Sequence, residues 1–251
     1  MRVHRLVQHA VRDTPPARAH RGPLVRAAAD ALPEAWPAED HHDQALAAAL
    51  RTNTTALTSH AGDHLWHPDS HDLLGRAGTS LLDAGLHQAA TTHWQHLTAN
   101  AERLLGPDHL DTLTTRTNLA AAHWQAGRIE EAIAIGEQVA ADEERILGED
   151  HPETLASRAN LATYYQEAGR IEEAIAIEEQ VAADRERILG HQHPDTLTTR
   201  ANLATSYYAA GRIEEAIAIG ERVVADRERI LGHPHPDTLA AVEVLRRWRA
   251  A

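Results

Sequence analysis

His193-Pro194-Asp195-Thr196-Leu197-Thr198-Thr199-Arg200-Ala201-Asn202-Leu203-Ala204-Thr205-Ser206-Tyr207-Tyr208-Ala209-Ala210-Gly211-Arg212 has a near twin 42 residues upstream, starting at His151. Extended to the full period, segments 151–192 and 193–234 agree at 32 of 42 positions. The same His-Pro-x-Thr-Leu opening returns at His235, and a variant, His109-Leu110-Asp111-Thr112-Leu113, lies one period before His151. One further step back reaches His67, and segment 67–108 keeps only the skeleton: Ala84-Gly85, Ala90 and Glu102-Arg103-Leu104-Leu105-Gly106. A fixed period of this length marks a stacked-repeat architecture. The boundaries read 67–108, 109–150, 151–192 and 193–234, with a half unit at 235–251, preceded by a distinct segment 1–66.

Each unit contains the makings of two helices. Pro194 and Asp195 read as a turn and an N-cap, after which Leu197, Leu203, Ala204 and Tyr207 recur at helical spacing. Ala210-Gly211 breaks the pattern. Glu214 and Glu215 open a second helix on the favourable side of its dipole, and Ile213, Ala216, Ile217, Val223, Val224, Ile230 and Leu231 form its apolar stripe. One such hairpin cannot bury its own stripe, whereas stacked copies can, so the expected fold is an all-α, right-handed α-solenoid of helix hairpins. The final half unit, with Leu239, Val242, Leu245 and Trp248 as its stripe and Glu243, Arg246, Arg247 and Arg249 outward, reads as a capping helix.

Composition removes whole classes of chemistry. The chain has 251 residues, no Cys, no Phe, and 24 basic residues that are all Arg. Disulfides, thiolate chemistry, lysine Schiff bases and a P-loop lysine are therefore excluded. A formal charge of −13 argues against nucleic-acid binding. No apolar run approaches a membrane span, and Met1-Arg2-Val3 does not begin a signal peptide, so a soluble, cytoplasmic protein is expected. The charge is uneven: residues 1–30 hold six Arg against Asp13 and Asp30, while residues 109–234 hold 12 Arg against 23 acids.

The Leu161-Ala162…Tyr165 and Leu203-Ala204…Tyr207 patterns, the glycine that follows, and Ala174 and Ala216 of Glu-Glu-Ala resemble the tetratricopeptide repeat. The 42-residue length, the Asn-Leu-Ala core and the Arg-Ile-Leu-Gly-x-x-His-Pro linker resemble its kinesin-light-chain variety. The likeness covers roughly 67–251, with departures: Arg116, Arg158 and Arg200 replace apolar residues, Gly136 and Gly220 stand where aromatics are frequent, and His123 replaces a tyrosine. These departures imply looser packing. Arg2-Val3-His4-Arg5-Leu6-Val7-Gln8 resembles the end of the winged-helix segment of bacterial NB-ARC-type (STAND) signalling ATPases, and 18–36 resembles their helical connector. That likeness implies the regulatory part of a signalling system, with an ATPase portion encoded upstream as a partner.

The repeat resemblance implies a concave face, lined by first helices, that binds an extended peptide or a partner helix. The matching positions are Asn118, Asn160 and Asn202, whose amides both donate and accept. Thr163 and Thr205 follow one turn on, then Trp124, Gln166 and Tyr208, with aromatics as anchors. The Asn ladder has a second reading, as hydrogen bonds that order the stack. Two readings also stand for Arg116, Arg158 and Arg200: contacts to acidic ligand groups, or stems buried along the stack. The adjacent pairs Glu130-Glu131, Glu172-Glu173 and Glu214-Glu215 read as solvated helix starts, not as opposed catalytic carboxylates. The His191-x-His193, His233-x-His235 and His93/His96 pairs lack a clustered third ligand, so no metal or cofactor is expected. A protein-recognition module without enzymatic activity is the expected function. The alternative is a structural scaffold that self-associates through repeat ends or the basic N-terminal helix.

Overall fold

The computed structural model describes residues 20–37, 39–67 and 69–250, so the ATPase-like stretch at residues 2–8 lies outside the described residues. Among them are eleven α-helices and no strands, an all-α architecture. The chain divides into two compact units, residues 1–126 and 127–251.

The first unit contains α1 (Arg21–Glu34), a 3-10 turn at Asp40–His42, α2 (Gln44–Ala61), a second 3-10 turn at Gly62–Leu65, α3 (Asp72–Asp83), α4 (His87–Leu104) and α5 (Leu110–Gln125). α1 and α2 pack on each other and on α3, and α4 packs on α3 and α5. Asp40 is the polar centre of this unit. It is 6% exposed and accepts hydrogen bonds from Trp36 Nε1 at 3.0 Å, Arg76 Nη2 at 2.5 Å, Arg51 Nη1 at 3.3 Å and the Ser80 hydroxyl. Burial pushes its carboxyl upward, but the donors Ser80, Arg76 and Trp36 outweigh burial and hold it below the usual range.

The second unit contains α6 (Ile129–Leu147), α7 (Pro152–Glu167), α8 (Ile171–Leu189), α9 (Pro194–Ala209), α10 (Ile213–Leu231) and α11 (Pro236–Ala250). Each helix packs on its neighbours in the chain. Ala162, Ala174, Ala204 and Ala216 are fully buried, which lets successive helices approach closely. Leu155, Val181, Leu197 and Val223 fill the space around them at 0–3% exposure.

The helix starts correct one expectation. The N-cap is the histidine, not the acid two residues on: His151, His193 and His235 accept the backbone N–H of Glu153, Asp195 and Asp237 through Nδ1 at 3.2, 3.2 and 3.3 Å. The proline then occupies the first helical position, where its missing N–H costs nothing. Second helices end at Gly148, Gly190 and Gly232, whose φ values of 94°, 91° and 85° suit a residue without a Cβ.

Two apolar stripes are shorter than their sequences suggest. Ile230 and Leu231 at the end of α10 are 42% and 39% exposed. On α11, Leu245 and Trp248 are buried but Leu239 is 48% exposed, whereas its register equivalents Leu113, Leu155 and Leu197 are 2–3% exposed. α9 is followed by α10 as its hairpin partner; α11 has none among the described residues. Residues facing the preceding repeat stay buried on α11, and the one that would face a following helix does not.

The glycine departures do not loosen the packing. A Cβ on Gly136 would lie 3.3 Å from Leu161 Cδ1 and 3.4 Å from Tyr164, and one on Gly220 would lie 3.2 Å from Trp248. The large ring is present, but the next first helix supplies it.

Candidate functional site

The expected groove positions fall on the first helices α5, α7 and α9. In the first unit, Asn118 is half-buried and its Nδ2 donates to Thr114 O at 2.8 Å. In the second, Asn160 is exposed and Asn202 half-buried. Thr163 and Thr205 donate back to Ala159 O and Ala201 O at 3.2 and 3.0 Å, the usual way a helical threonine satisfies its hydroxyl. Trp124 is half-buried. Tyr208 stacks on Trp248 of α11, with ring centroids 5.3 Å apart and planes 17° off parallel. Gln166 turns between helices, donating to Glu178 Oε1 of α8 at 2.9 Å and to Ser206 Oγ of α9.

Each ladder arginine engages a neighbouring helix. Arg116 reaches Glu102 of α4 through Nε at 3.0 Å and Nη2 at 2.7 Å. Arg158 donates to Gln180 Oε1 at 2.5 Å, and Arg200 pairs with Glu186 of α8 at 2.6 Å. The side chains of Arg116 and Arg200 are only 18% and 19% exposed, so their stems lie along the packed surface.

Two cavities occupy equivalent places in separate units. One of about 270 Å³ lies between the first helices α3 and α5 above α4, lined by Gly75, Thr79, Trp94, Thr114, Thr115 and Asn118. The other, of about 160 Å³, lies between the first helices α9 and α11 above α10, lined by Asn202, Thr205, Gly220, Ala240, Ala241 and Val244. Thr114, Thr115 and Asn118 correspond by register to Ala240, Ala241 and Val244. One repeat geometry therefore produces both cavities, and both include an Asn of the ladder.

Sequence reading missed three further features. A cavity of about 710 Å³ between α2, α3 and α4 has an apolar floor including Leu65, Leu81 and Leu97, and a rim with Thr58, His96 and Arg103. At its side His93 is pushed down by burial, against the opposing pull of its hydrogen bond to Leu74 O, and so is neutral at physiological pH. Second, Tyr165 and Tyr207 donate their hydroxyls to Glu137 and Glu179 and lie under the guanidinium groups of Arg170 and Arg212, 4.3 and 4.0 Å from the ring centroids. Burial and the acceptor carboxylates push both phenols up to about 12. Arg249 takes the tyrosine's place on α11 and reaches Glu221 at 2.5 Å. Third, Glu178 is a buried acid, hydrogen-bonded to Gln166 and Ser206. Only the Tyr–Glu spacing of 28 residues was visible in advance, because it recurs.

A Glu39–His41–His42 group brings three potential ligand atoms within 4.8 Å, but all three side chains are exposed on the 3-10 turn. Among the described residues, no helix is long and apolar enough to cross a membrane.

Tetratricopeptide-repeat models match residues 69–142, 154–195 and 196–237. No curated protein matches the chain. Two crystal structures of nearly identical TPR-like repeats of the kinesin light chain type from Podosopora anserina are 31% and 32% identical to it. Both have a TM-score of 0.64 and cover 70% of this chain, which in turn covers 82% and 83% of theirs. BtubC (BKLC) from P. vanneervenii shares the fold at 16% identity, with a TM-score of 0.59 over 95% of this chain and 92% of its own. Repeat by repeat, in sequence and in structure, the chain belongs to the tetratricopeptide-repeat family.

Proposed function

We propose that this protein is a non-catalytic recognition module whose first-helix faces bind a peptide or helix of a protein partner. The observation that carries this reading is the recurrence of one cavity type at equivalent register in the two units, with a ladder Asn on one wall of each: Asn118 on the later first helix in one, Asn202 on the earlier first helix in the other. Amide and hydroxyl groups at the rim satisfy a peptide backbone, while Gly220, Ala240 and Val244 leave room for an apolar side chain. In the second unit Asn160, Thr163, Gln166, Tyr208, Arg158 and Arg200, and in the first unit Trp124 and Arg116, are the further first-helix positions assigned to recognition, each unit taken by itself. The finer assignment, to the regulatory part of a bacterial signalling system with an NB-ARC-type ATPase as partner, rests on the likeness of residues 2–8 and 18–36 to such proteins. It is also supported by the contrast between a basic head and an acidic repeat array.

Selection of a displayed random-peptide library on the full chain tests the groove. Recovered peptides are expected to lose about tenfold or more in affinity for the Asn160→Ala, Asn202→Ala double variant, since each buried amide left unpaired costs on the order of 1 kcal/mol. Unchanged affinity removes these residues from the binding surface.

A further inference from the structure

Glu178 is the exception at its position. One period before and after it stand Gly136 and Gly220, each against an aromatic ring of the next first helix, Tyr164 and Trp248. Opposite Glu178 the ring is replaced by Ser206. One repeat junction thus exchanges a glycine–aromatic contact for a carboxyl–hydroxyl one, and it does so in the interior: Glu178 is 2% exposed and Ser206 1%.

The carboxyl has neutral partners only. Ser206 Oγ donates to Oε2 at 2.7 Å and Gln166 Nε2 donates to Oε1 at 2.9 Å, while Gln166 also contacts Ser206 Oγ. The hydrogen-bonded arginines and tyrosines of the surrounding helices point to other groups. On α7, Arg158 goes to Gln180 and Tyr165 to Glu137. On α9, Arg200 goes to Glu186, Tyr207 to Glu179, and Tyr208 stacks on Trp248. On α8, Glu173 pairs with Arg170, Arg185 reaches Thr199, and Arg187 pairs with Asp150 and Asp184. Tyr164 is held neutral by burial, its phenol pushed up to about 12. A carboxylate buried without a cation is destabilised relative to its acid form.

The triad also has a place for the proton. In the charged state the Gln166 amide and the Ser206 hydroxyl donate to the two carboxylate oxygens. In the protonated state a half-turn of the Gln166 amide presents its Oε1 to accept the new O–H, and Ser206 continues to donate to the other oxygen. In the structure both carboxylate oxygens of Glu178 and the Ser206 hydroxyl have a partner.

We propose that Glu178, Gln166 and Ser206 form a proton-binding site at the α7–α8–α9 junction, empty in mildly alkaline solution and filled on mild acidification, which tightens this junction when filled. Burial, partly offset by the Ser206 hydrogen bond, pushes the Glu178 carboxyl up to about 7 from an ordinary value of 4.5. The folded state therefore binds the proton more tightly than the unfolded chain. The cost of the buried charge is absent below about pH 4.5 and grows as pH rises toward about 7, where it is complete.

Two measurements on the full chain test this. Carbon-13 NMR of the Glu178 Cδ in the unmodified protein is expected to titrate with a midpoint near neutrality. The unfolding equilibrium constant is expected to rise on the order of a hundredfold more between pH 5 and pH 8 in the unmodified protein than in Glu178→Gln, which keeps the shape without the charge. A carboxyl midpoint below pH 5 overturns the proposal, and so do identical pH slopes in the two proteins. If Glu178→Gln does not fold, Glu178→Gly restores the residue found at both equivalent positions, and the NMR titration needs no variant.

Discussion

At Gly78 of α3 a single hydrogen atom decides the packing. A Cβ there would fall 2.5 Å from Cε2 and Cζ2 of Trp94, an indole that is itself only 3% exposed. The clash is with the middle of a rigid ring, which has nowhere to turn. On propensity alone, Gly to Ala in a helix interior stabilises by roughly 1 kcal/mol. Here overpacking of about 1–3 kcal/mol opposes it and wins, because the ring can yield only by leaving its place between α3 and α4. Gly78→Ala is accordingly expected to lower the midpoint of denaturant unfolding and to shift the tryptophan emission spectrum, whereas a rise in midpoint would mean that Trp94 relocates freely. The register of this site also inverts that of the second unit. Trp94 stands on a second helix where Gly136 and Gly220 stand later, and its counterpart on the next first helix is the small Ala122, where Tyr164 and Trp248 stand later. Bulk is exchanged between the two sides of a junction, which a reading of one copy at a time does not reveal.

At the scale of the helix, the recurring His-Pro pair is a starting signal with a division of labour. The histidine closes one of the free N–H groups of the first turn and the proline supplies a preset φ with no N–H to satisfy. His193→Ala is expected to cost about 1 kcal/mol, the usual worth of a side-chain cap, and His193→Asn, which also offers an acceptor, to recover most of it. Thermal unfolding of the two variants side by side checks this, and equal losses would mean that the imidazole stabilises by packing instead. The helices themselves were legible beforehand, because period, breaker glycines and apolar spacing agree in copy after copy. The cap was not, since Asp195 offers the usual capping chemistry and His193 precedes a proline, so only the Nδ1 distance to the Asp195 N–H separates them. Leu239 was misread for a related reason: its sequence matches Leu113, Leu155 and Leu197, and its exposure depends on a neighbour that a local pattern does not record. Groove positions were legible as places on first helices. The engagements of Gln166 and Tyr208 with other helices were not, because they depend on Glu178 and Trp248, two residues at which the repeats differ.

Across the whole molecule, acid–base behaviour separates the two units: the first buries Asp40 with its carboxyl held down, and the second buries Glu143 and Glu178, both pushed up by burial. Asp40 in the first unit is held below its ordinary value of 3.8 by its donors despite burial. The stability it contributes is therefore present above that value and is lost as pH falls through the folded-state value. Glu178 in the second unit is raised to about 7, so its cost disappears as pH falls from about 8 toward 5. Acidification from pH 8 to 5 is thus expected to strengthen α7–α9 while protonation of the buried His93 works against the first unit, and further acidification below about pH 3.8 to remove the Asp40 contribution to α1–α3. Asp40→Asn should weaken α1–α3 above the range in which Asp40 titrates by on the order of 3 kcal/mol, because it strands Arg51 and Arg76 without their buried counter-charge, and should remove the further loss on acidification below about pH 3.8. Peptide-resolved hydrogen exchange, corrected for the intrinsic pH dependence of exchange, reads each unit separately. Protection that rose and fell together in residues 21–83 and 152–209 would contradict two independent carboxyls. Opposite trends, abolished one at a time by Asp40→Asn and Glu178→Gln, would assign each trend to its residue.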